Sequence, residues 1–95
     1  MEIEMFKWVG SFAENKDYAR DIRINNIIPA LKNKEKVILN FTGVESATQS
    51  FIHALISEVI RKYKIEVLDQ IEFKNCNDTV KKVIEIVIDY MQKPA

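Results

Sequence analysis

The chain has 95 residues, of which 47% are hydrophobic and 29% charged, so it fits one folded domain over residues 1–95 and not a disordered segment. Its 14 basic and 14 acidic residues cancel, which excludes the basic surplus of most nucleic-acid-binding proteins and gives no support for binding to a membrane surface. A single cysteine, Cys76, excludes an intrachain disulfide, and no stretch approaches the roughly 18 apolar residues of a membrane span, so we expect a cytoplasmic protein.

The first third of the chain predicts a strand, a loop and a helix. Residues 2–9 alternate loosely between apolar and polar side chains, as in an edge strand, and residues 10–16 form a loop. Residues 17–32 are predicted to be helical, with one core-facing stripe. Because Pro29 lacks a backbone N–H, it should kink this helix or mark a restart near Ile27. The predicted stripe comprises Ile24, Ile27, Ile28 and Leu31.

The remainder of the chain alternates between strands and helices. Residues 36–42 contain an apolar run typical of a strand covered on both faces, and residues 47–62 predict the clearest helix. A further strand lies near residues 68–74, and Asn77 or Asp78 caps a last helix. The apolar stripes of the two helices are Ile52, Leu55, Ile56, Val59, Ile60 and Tyr63, and Val80, Val83, Ile84, Val87, Ile88 and Met91; the opposite, polar face of the first of them carries His53, Ser57, Glu58, Arg61 and Lys62.

This order of elements predicts an α/β layer fold, in which three helices pack on a small mixed β-sheet. The predicted first strand leaves one sheet edge unpaired, so self-association as a homodimer stays open. Residues 93–95 are predicted to form a frayed tail.

Several large apolar residues fall outside the predicted stripes. Ile86 and Tyr90 lie four apart on the last helix, where they either widen its core-facing side or offer an exposed apolar patch to a partner, and we expect the wider core face. The aromatic residues near the N-terminus either cover the core or mark a dimer surface. They are Phe6, Trp8 and Phe12.

The segment that joins the strand at residues 36–42 to the clearest helix is rich in polar side chains. Asn40, at the strand end, is expected to hydrogen-bond the turn that follows. Ser46 and Gln49 have the spacing of a capping box just before the helical pattern. Ser46, Thr48 and Ser50 therefore place three hydroxyls near a helix N-terminus, where negative charge is favoured.

The same segment carries a family resemblance. Residues 40–44 read Asn-Phe-Thr-Gly-Val, and residues 48–51 read Thr-Gln-Ser-Phe. They resemble the signature of the STAS domain of anti-sigma factor antagonists, which is Asp-Leu-Ser-Gly-Val followed by Asp-Ser-Ser-Gly at the helix start. The Ser50–Phe51 pair is more similar to the small STAS-like family of unknown function. The resemblance extends more weakly over residues 19–91.

The resemblance implies a regulatory protein–protein interaction module, not an enzyme, whose partner is a histidine-kinase-like ATPase. In anti-sigma factor antagonists the partner kinase phosphorylates the first serine of the second motif. Gln49 aligns there and cannot carry phosphate, whereas a shift of one residue places Ser50 in the role, so Thr48 or Ser50 is the candidate phospho-switch. Alternatively, these hydroxyls only satisfy helix N-terminal N–H groups. The candidate partner-binding or phospho-switch residues are Glu45, Ser46, Thr48, Gln49, Ser50 and His53.

Two other functions compete with this one. A small-ligand or nucleotide sensor is the alternative, because a helix N-terminus beside a strand end favours anions, although the chain has only Gly10 and Gly43 and no phosphate-binding loop. An enzyme ranks last, since His53 has no catalytic or metal-ligating cluster around it in sequence and is expected to face solvent or an interface. Cys76 lies beside a predicted helix N-cap, a position that favours a lowered thiol pKa, but we expect it to be a passive small residue. We expect neither a metal nor a cofactor.

Overall fold

The computed structural model describes residues 1–93, as short strands alternating with helices. The last two residues of the predicted tail, Pro94 and Ala95, lie outside this range. No helix in the described range is long and apolar enough to cross a membrane. In chain order the elements are β1 (Glu2–Glu4), α1 (Met5–Val9), β2 (Phe12–Ala13), α2 (Lys16–Ile22), a π turn (Arg23–Ile27), α3 (Ile28–Lys32), β3 (Val37–Asn40), β4 (Ser46–Ala47), α4 (Gln49–Tyr63), a 3-10 segment (Ile65–Gln70), β5 (Ile71–Lys74) and α5 (Asp78–Gln92).

The strands form two sheets that are parallel throughout. β3 lies between β1 and β5 in a three-stranded sheet, and β2 pairs with β4 in a separate two-stranded sheet. Every connection between neighbouring strands passes through at least one helix, which returns the chain to the end of the sheet where the strand began. The predicted α/β class is therefore confirmed. The predicted mixture of strand directions is wrong, because no hairpin turn joins two neighbouring strands within residues 1–93.

The central strand β3 supplies the middle of the core. Val37 and Leu39 are fully buried, as is Phe41 just beyond the strand, whereas Ile38 and Asn40 between them are half-buried. This alternation follows from the period of two in a β-strand. One face of β3 is thus completely covered, and the prediction of a strand covered on both faces holds for that face only.

The two long helices bury the stripes that their sequence patterns predict. α4 lies against α2, α5 and the 3-10 segment, and its apolar residues join those of β3 in one cluster. Asn77 accepts a hydrogen bond from the Val80 N–H at 2.8 Å, which confirms it as the N-cap of α5. The buried stripe residues are Ile52, Leu55, Ile56, Val59 and Ile60 on α4, and Val80, Ile84 and Val87 on α5.

The burial of Ser57 and the exposure of Ile24 are the reverse of what the sequence pattern predicts. Ser57, expected on the polar face of α4, is buried, because α4 is covered by neighbours on more than one side. Ile24, expected in the core, is 49% exposed. It lies in the π turn, whose extra residue shifts the phase of the helix, so that the buried positions are Ile22 and Ile27.

The π turn marks the position where the proline interrupts the helix. The Ile28 N–H donates to the Arg23 carbonyl, five residues back instead of four, and the α-helical pattern restarts at Ile28. Pro29 has no N–H, and its ring crowds the carbonyl of the preceding turn, so a wider turn accommodates it. The predicted restart is confirmed.

The N-terminal segment differs most from its prediction. The strand predicted over residues 2–9 ends at Glu4, and residues 5–9 form the helix α1, stabilised by a Lys7–Glu4 ion pair at 2.7 Å. The loop predicted over residues 10–16 contains β2, which pairs with β4. The alternation of residues 2–9 reflects burial of Ile3 and Met5 only, while Trp8 stays exposed. β2 has only two residues, too few to give a sequence pattern, and it is defined by its pairing with β4.

Substitution of Leu39 tests the burial of β3. Because Leu39 is fully buried, Leu39→Ala should lower the free energy of unfolding by about 2–5 kcal/mol. Ile38→Ala, on the half-buried face of the same strand, is the matched control and should cost less. Urea denaturation followed by circular dichroism measures both values, and equal losses would contradict the asymmetry of β3.

Candidate functional site

A polar network fixes the chain where it leaves β3. The Asn40 side-chain oxygen accepts hydrogen bonds from the Thr42 N–H at 3.0 Å and from the Thr42 hydroxyl at 2.6 Å, which confirms the predicted contact with the turn. The Asn40 amide donates to Glu2 at 2.8 Å, and the Asn75 amide donates to the Thr42 hydroxyl at 2.9 Å. The first residue of β1, the last residue of β3 and the residue after β5 are thereby linked around one turn.

The turn continues under an aromatic ring and then joins the smaller sheet. Gly43 has a φ of +86°, and the Phe6 ring packs so closely on it that a Cβ there would lie 2.9 Å from the ring. The Glu45 N–H donates to the Ser11 carbonyl at 2.7 Å, and Ser46 enters β4. Because Ser46 is held in this strand pairing, it cannot cap α4, and the predicted capping box is wrong.

Thr48 caps α4 instead. Its hydroxyl oxygen accepts a hydrogen bond from the Phe51 N–H at 3.1 Å, and the helix begins at Gln49. Gln49 and Ser50 are exposed, and their side chains make no hydrogen bond within the described part of the chain. The structure therefore separates the three hydroxyls: Ser46 lies in a strand, Thr48 serves the helix end, and Ser50 is free at the surface.

A cleft lies beside these first turns of α4. His53 is half-buried, and its ring meets that of Tyr90 edge to face with centroids 6.5 Å apart. Ile86 and Tyr90 are 42% and 65% exposed, so the prediction that they widen the core-facing side of α5 is wrong. They form one wall of the cleft instead. The cleft has a volume of about 500 Å³ and is lined by Lys16, Gln49, Ser50, His53, Ala54, Ile86, Val87 and Tyr90.

The sequence predicts only some of the residues that line this cleft. Gln49, Ser50 and His53 were candidates from the start, and Glu45, Ser46 and Thr48 lie on the adjoining turn. Lys16 was missed, because nothing local connects the start of α2 with α4. The signal for the far wall was the position of Ile86 and Tyr90 off the apolar stripe of α5.

Exposed aromatic residues border the same turn. Phe6 packs on Gly43, and Phe12 in β2 pairs in register with Ser46 in β4. Phe6 and Phe12 are 49% and 46% exposed, so about half of each side chain faces solvent. Trp8 and Tyr18 are exposed as well and meet edge to face at 6.4 Å.

His53 and Cys76 do not line the same cleft in the described part of the chain. Burial raises the pKa of the Cys76 thiol, with a smaller opposing effect from Lys81, which disfavours the reactive thiolate form. Within residues 1–93 no group of three or more His, Cys, Asp or Glu side chains is arranged to hold a metal ion.

Comparison with known proteins identifies one similarity. A family model described as a STAS-like domain of unknown function (DUF4325) matches residues 18–81. The match includes β3, the turn, α4 and β5, and it ends in the first turn of α5, before Ile86 and Tyr90. No curated protein and no solved structure matches the chain significantly.

Replacing the two neighbouring hydroxyls separates the cap from the free side chain. Thr48→Ala should lower the free energy of unfolding by about 1 kcal/mol, because the Phe51 N–H loses its acceptor. Ser50→Ala is the matched control and should leave stability nearly unchanged. Thermal and urea unfolding measure both, and Thr48→Ser should restore most of the loss. A larger loss for Ser50→Ala would refute this assignment.

The two glycines test the contact between Phe6 and the turn. Both have a positive φ, +69° at Gly10 and +86° at Gly43, but only a Cβ at Gly43 meets a neighbour within 4 Å. Gly43→Ala should therefore lose about 1 kcal/mol through contact with the Phe6 ring, in addition to the backbone strain that alanine meets at either glycine. Urea unfolding of both variants, in the natural chain and with Phe6→Ala, measures this contribution. Phe6→Ala should reduce the loss caused by Gly43→Ala and leave the loss caused by Gly10→Ala unchanged, and an equal effect on both would show that the ring is not the cause.

Proposed function

The chain belongs to the STAS-like family of unknown function, and from that membership we propose that it is a non-enzymatic regulatory module that binds a protein partner. The proposed partner face consists of the turn after β3 and the first turns of α4. By resemblance to anti-sigma factor antagonists, the partner is a histidine-kinase-like ATPase. The residues of the partner face are Glu45, Ser46, Gln49, Ser50 and His53, with Thr48 behind them as the helix cap.

The observation that carries this proposal is the position of the exposed aromatic rings. Phe6 lies on the turn at Gly43 and Phe12 beside Ser46, so apolar area borders the polar face. Aromatic anchors surrounded by polar groups are typical of protein interfaces, where a few such side chains supply most of the binding energy. A partner that covers the turn would remove these rings from water.

Ser50 is the better candidate for phosphorylation. The Thr48 hydroxyl already accepts a hydrogen bond from the helix, whereas the Ser50 hydroxyl is exposed and makes no hydrogen bond to the described residues. Phosphate there adds a charge of about −1.5 to −2 at a helix N-terminus, where it does not oppose the helix dipole. Its effect is then on the partner face and not on the fold.

The start of α5 offers a matched control for added charge. Ser50 is the second residue of α4, and Thr79 is the second residue of α5, a helix of the same 15-residue length. Ser50→Asp and Thr79→Asp therefore add one negative charge at equivalent helix positions. We expect Ser50→Asp to weaken partner binding by about tenfold or more and Thr79→Asp to leave it unchanged.

The experiment uses the immobilised chain as bait in an extract of its native cells, with mass spectrometry of bait and captured proteins. Recovery of a histidine-kinase-like ATPase, reduced with Ser50→Asp and Phe12→Ala but not with Thr79→Asp, supports the proposal. Phosphate on Ser50 of the bait supports the switch. Capture of the ATPase equally by all variants would contradict the partner face, and absence of any captured protein would contradict the proposed function.

A further inference from the structure

Independently of a protein partner, we propose that the cleft between α4 and α5 binds a small organic anion that carries a planar ring. The volume of about 500 Å³ is within the range of sites that hold small molecules. Its walls come from three elements that are distant in the sequence, namely the start of α2, the first turns of α4 and the second half of α5. Lys16, Ile86 and Tyr90 lie outside the residues matched by the family model.

One side of the cleft is apolar and suits a ring. Its apolar lining residues are Ala54, Ile86 and Val87, and the Tyr90 and His53 rings, which also line the cleft, meet edge to face with centroids 6.5 Å apart. Ile86 and Tyr90 leave much of their apolar surface in water inside a concave site. A planar ligand bound next to Tyr90 and His53 would cover this surface and make edge or stacking contacts with both rings.

The charged part of the cleft lining favours a negatively charged ligand. No Asp or Glu lines it, although the chain has 14 acidic residues, and Lys16 makes no ion pair within residues 1–93. Lys16 also borders a smaller depression of about 130 Å³, whose other lining residues are Asp17, Arg20, Arg23 and Ala54. In that depression Arg20 lies 3.9 Å from Asp17, and Arg23 donates to the Ala54 carbonyl. Lys16 is the basic residue that lines both the depression and the cleft, where its charge favours a phosphate or a carboxylate.

Two polar side chains in the lining of the cleft are free to bind a ligand. The side chains of Gln49 and Ser50 line the cleft and make no hydrogen bond to the described residues. Arg23 is already held, since its guanidinium donates to the Ala54 carbonyl at 2.7 Å, so it contributes charge and fixes the edge of the site. A few polar groups beside an apolar wall set the orientation of a bound molecule.

The test uses 1-naphthyl phosphate as the probe, with inorganic phosphate and 1-naphthol as controls for its two parts. Amide chemical shifts in the ¹⁵N-labelled chain of residues 1–95 should change at Lys16, at residues 49–54 and at residues 86–90. Neither control should reach the affinity of the complete probe. Shifts confined to the exposed aromatic residues at Phe6, Trp8, Phe12 and Tyr18 would overturn the proposal, as would no saturable binding at millimolar probe.

Two variants test the charged part and the aromatic part of the cleft lining separately. Lys16→Glu and Tyr90→Ala each change an exposed side chain and should each weaken the probe by about tenfold, with folding verified from the amide spectrum. Lys32→Glu makes the same charge change at the far end of α3 and should leave the affinity unchanged. Equal affinity in Lys16→Glu, Tyr90→Ala and Lys32→Glu would overturn the proposed site. Partner capture is a separate measurement, so either proposal can fail alone.

Discussion

Burial of alternate side chains along β3 is the constraint on which the rest of the structure depends. Val37, Leu39 and Phe41 are fully buried, and the Phe41 N–H donates to the Lys74 carbonyl at 2.8 Å, which extends the pairing with β5 past the end of β3. A slip of one residue would turn these side chains away from the core, so the register is strongly determined. The register therefore fixes the position of the end of β3 relative to the core. It also fixes the start of the turn that leads to α4.

The two-stranded sheet places exposed aromatic residues beside the turn that follows β3. Pairing of β2 with β4 ties the N-terminal segment to the turn, with Phe12 opposite Ser46. It also holds Phe6 over Gly43, a position where any side chain would crowd the ring. The polar groups of the turn thus share their surroundings with exposed aromatic rings, a combination that neither segment has alone.

The proposed partner face and the cleft overlap at the start of α4. Gln49, Ser50 and His53 belong to both, whereas Lys16 and Tyr90 belong to the cleft only. A molecule bound in the cleft would lie against residues that a partner is proposed to contact, so the two proposals together provide a route by which a ligand alters partner binding. Phosphate on Ser50 would act on the same two features, because it adds charge at the mouth of the cleft.

Local patterns in the sequence determined the α/β class, the core-facing stripes of α4 and α5 and the restart of the helix before Pro29. These features follow from the spacing of apolar residues and from the chemistry of proline, which act over a few neighbouring residues. Only the tertiary structure decided that Thr48 and not Ser46 caps α4, because Ser46 is held by β2, a strand too short to leave a pattern. It likewise decided that Ile86 and Tyr90 face a cleft, since their exposure depends on how α5 packs against α4 and not on the sequence of α5 itself.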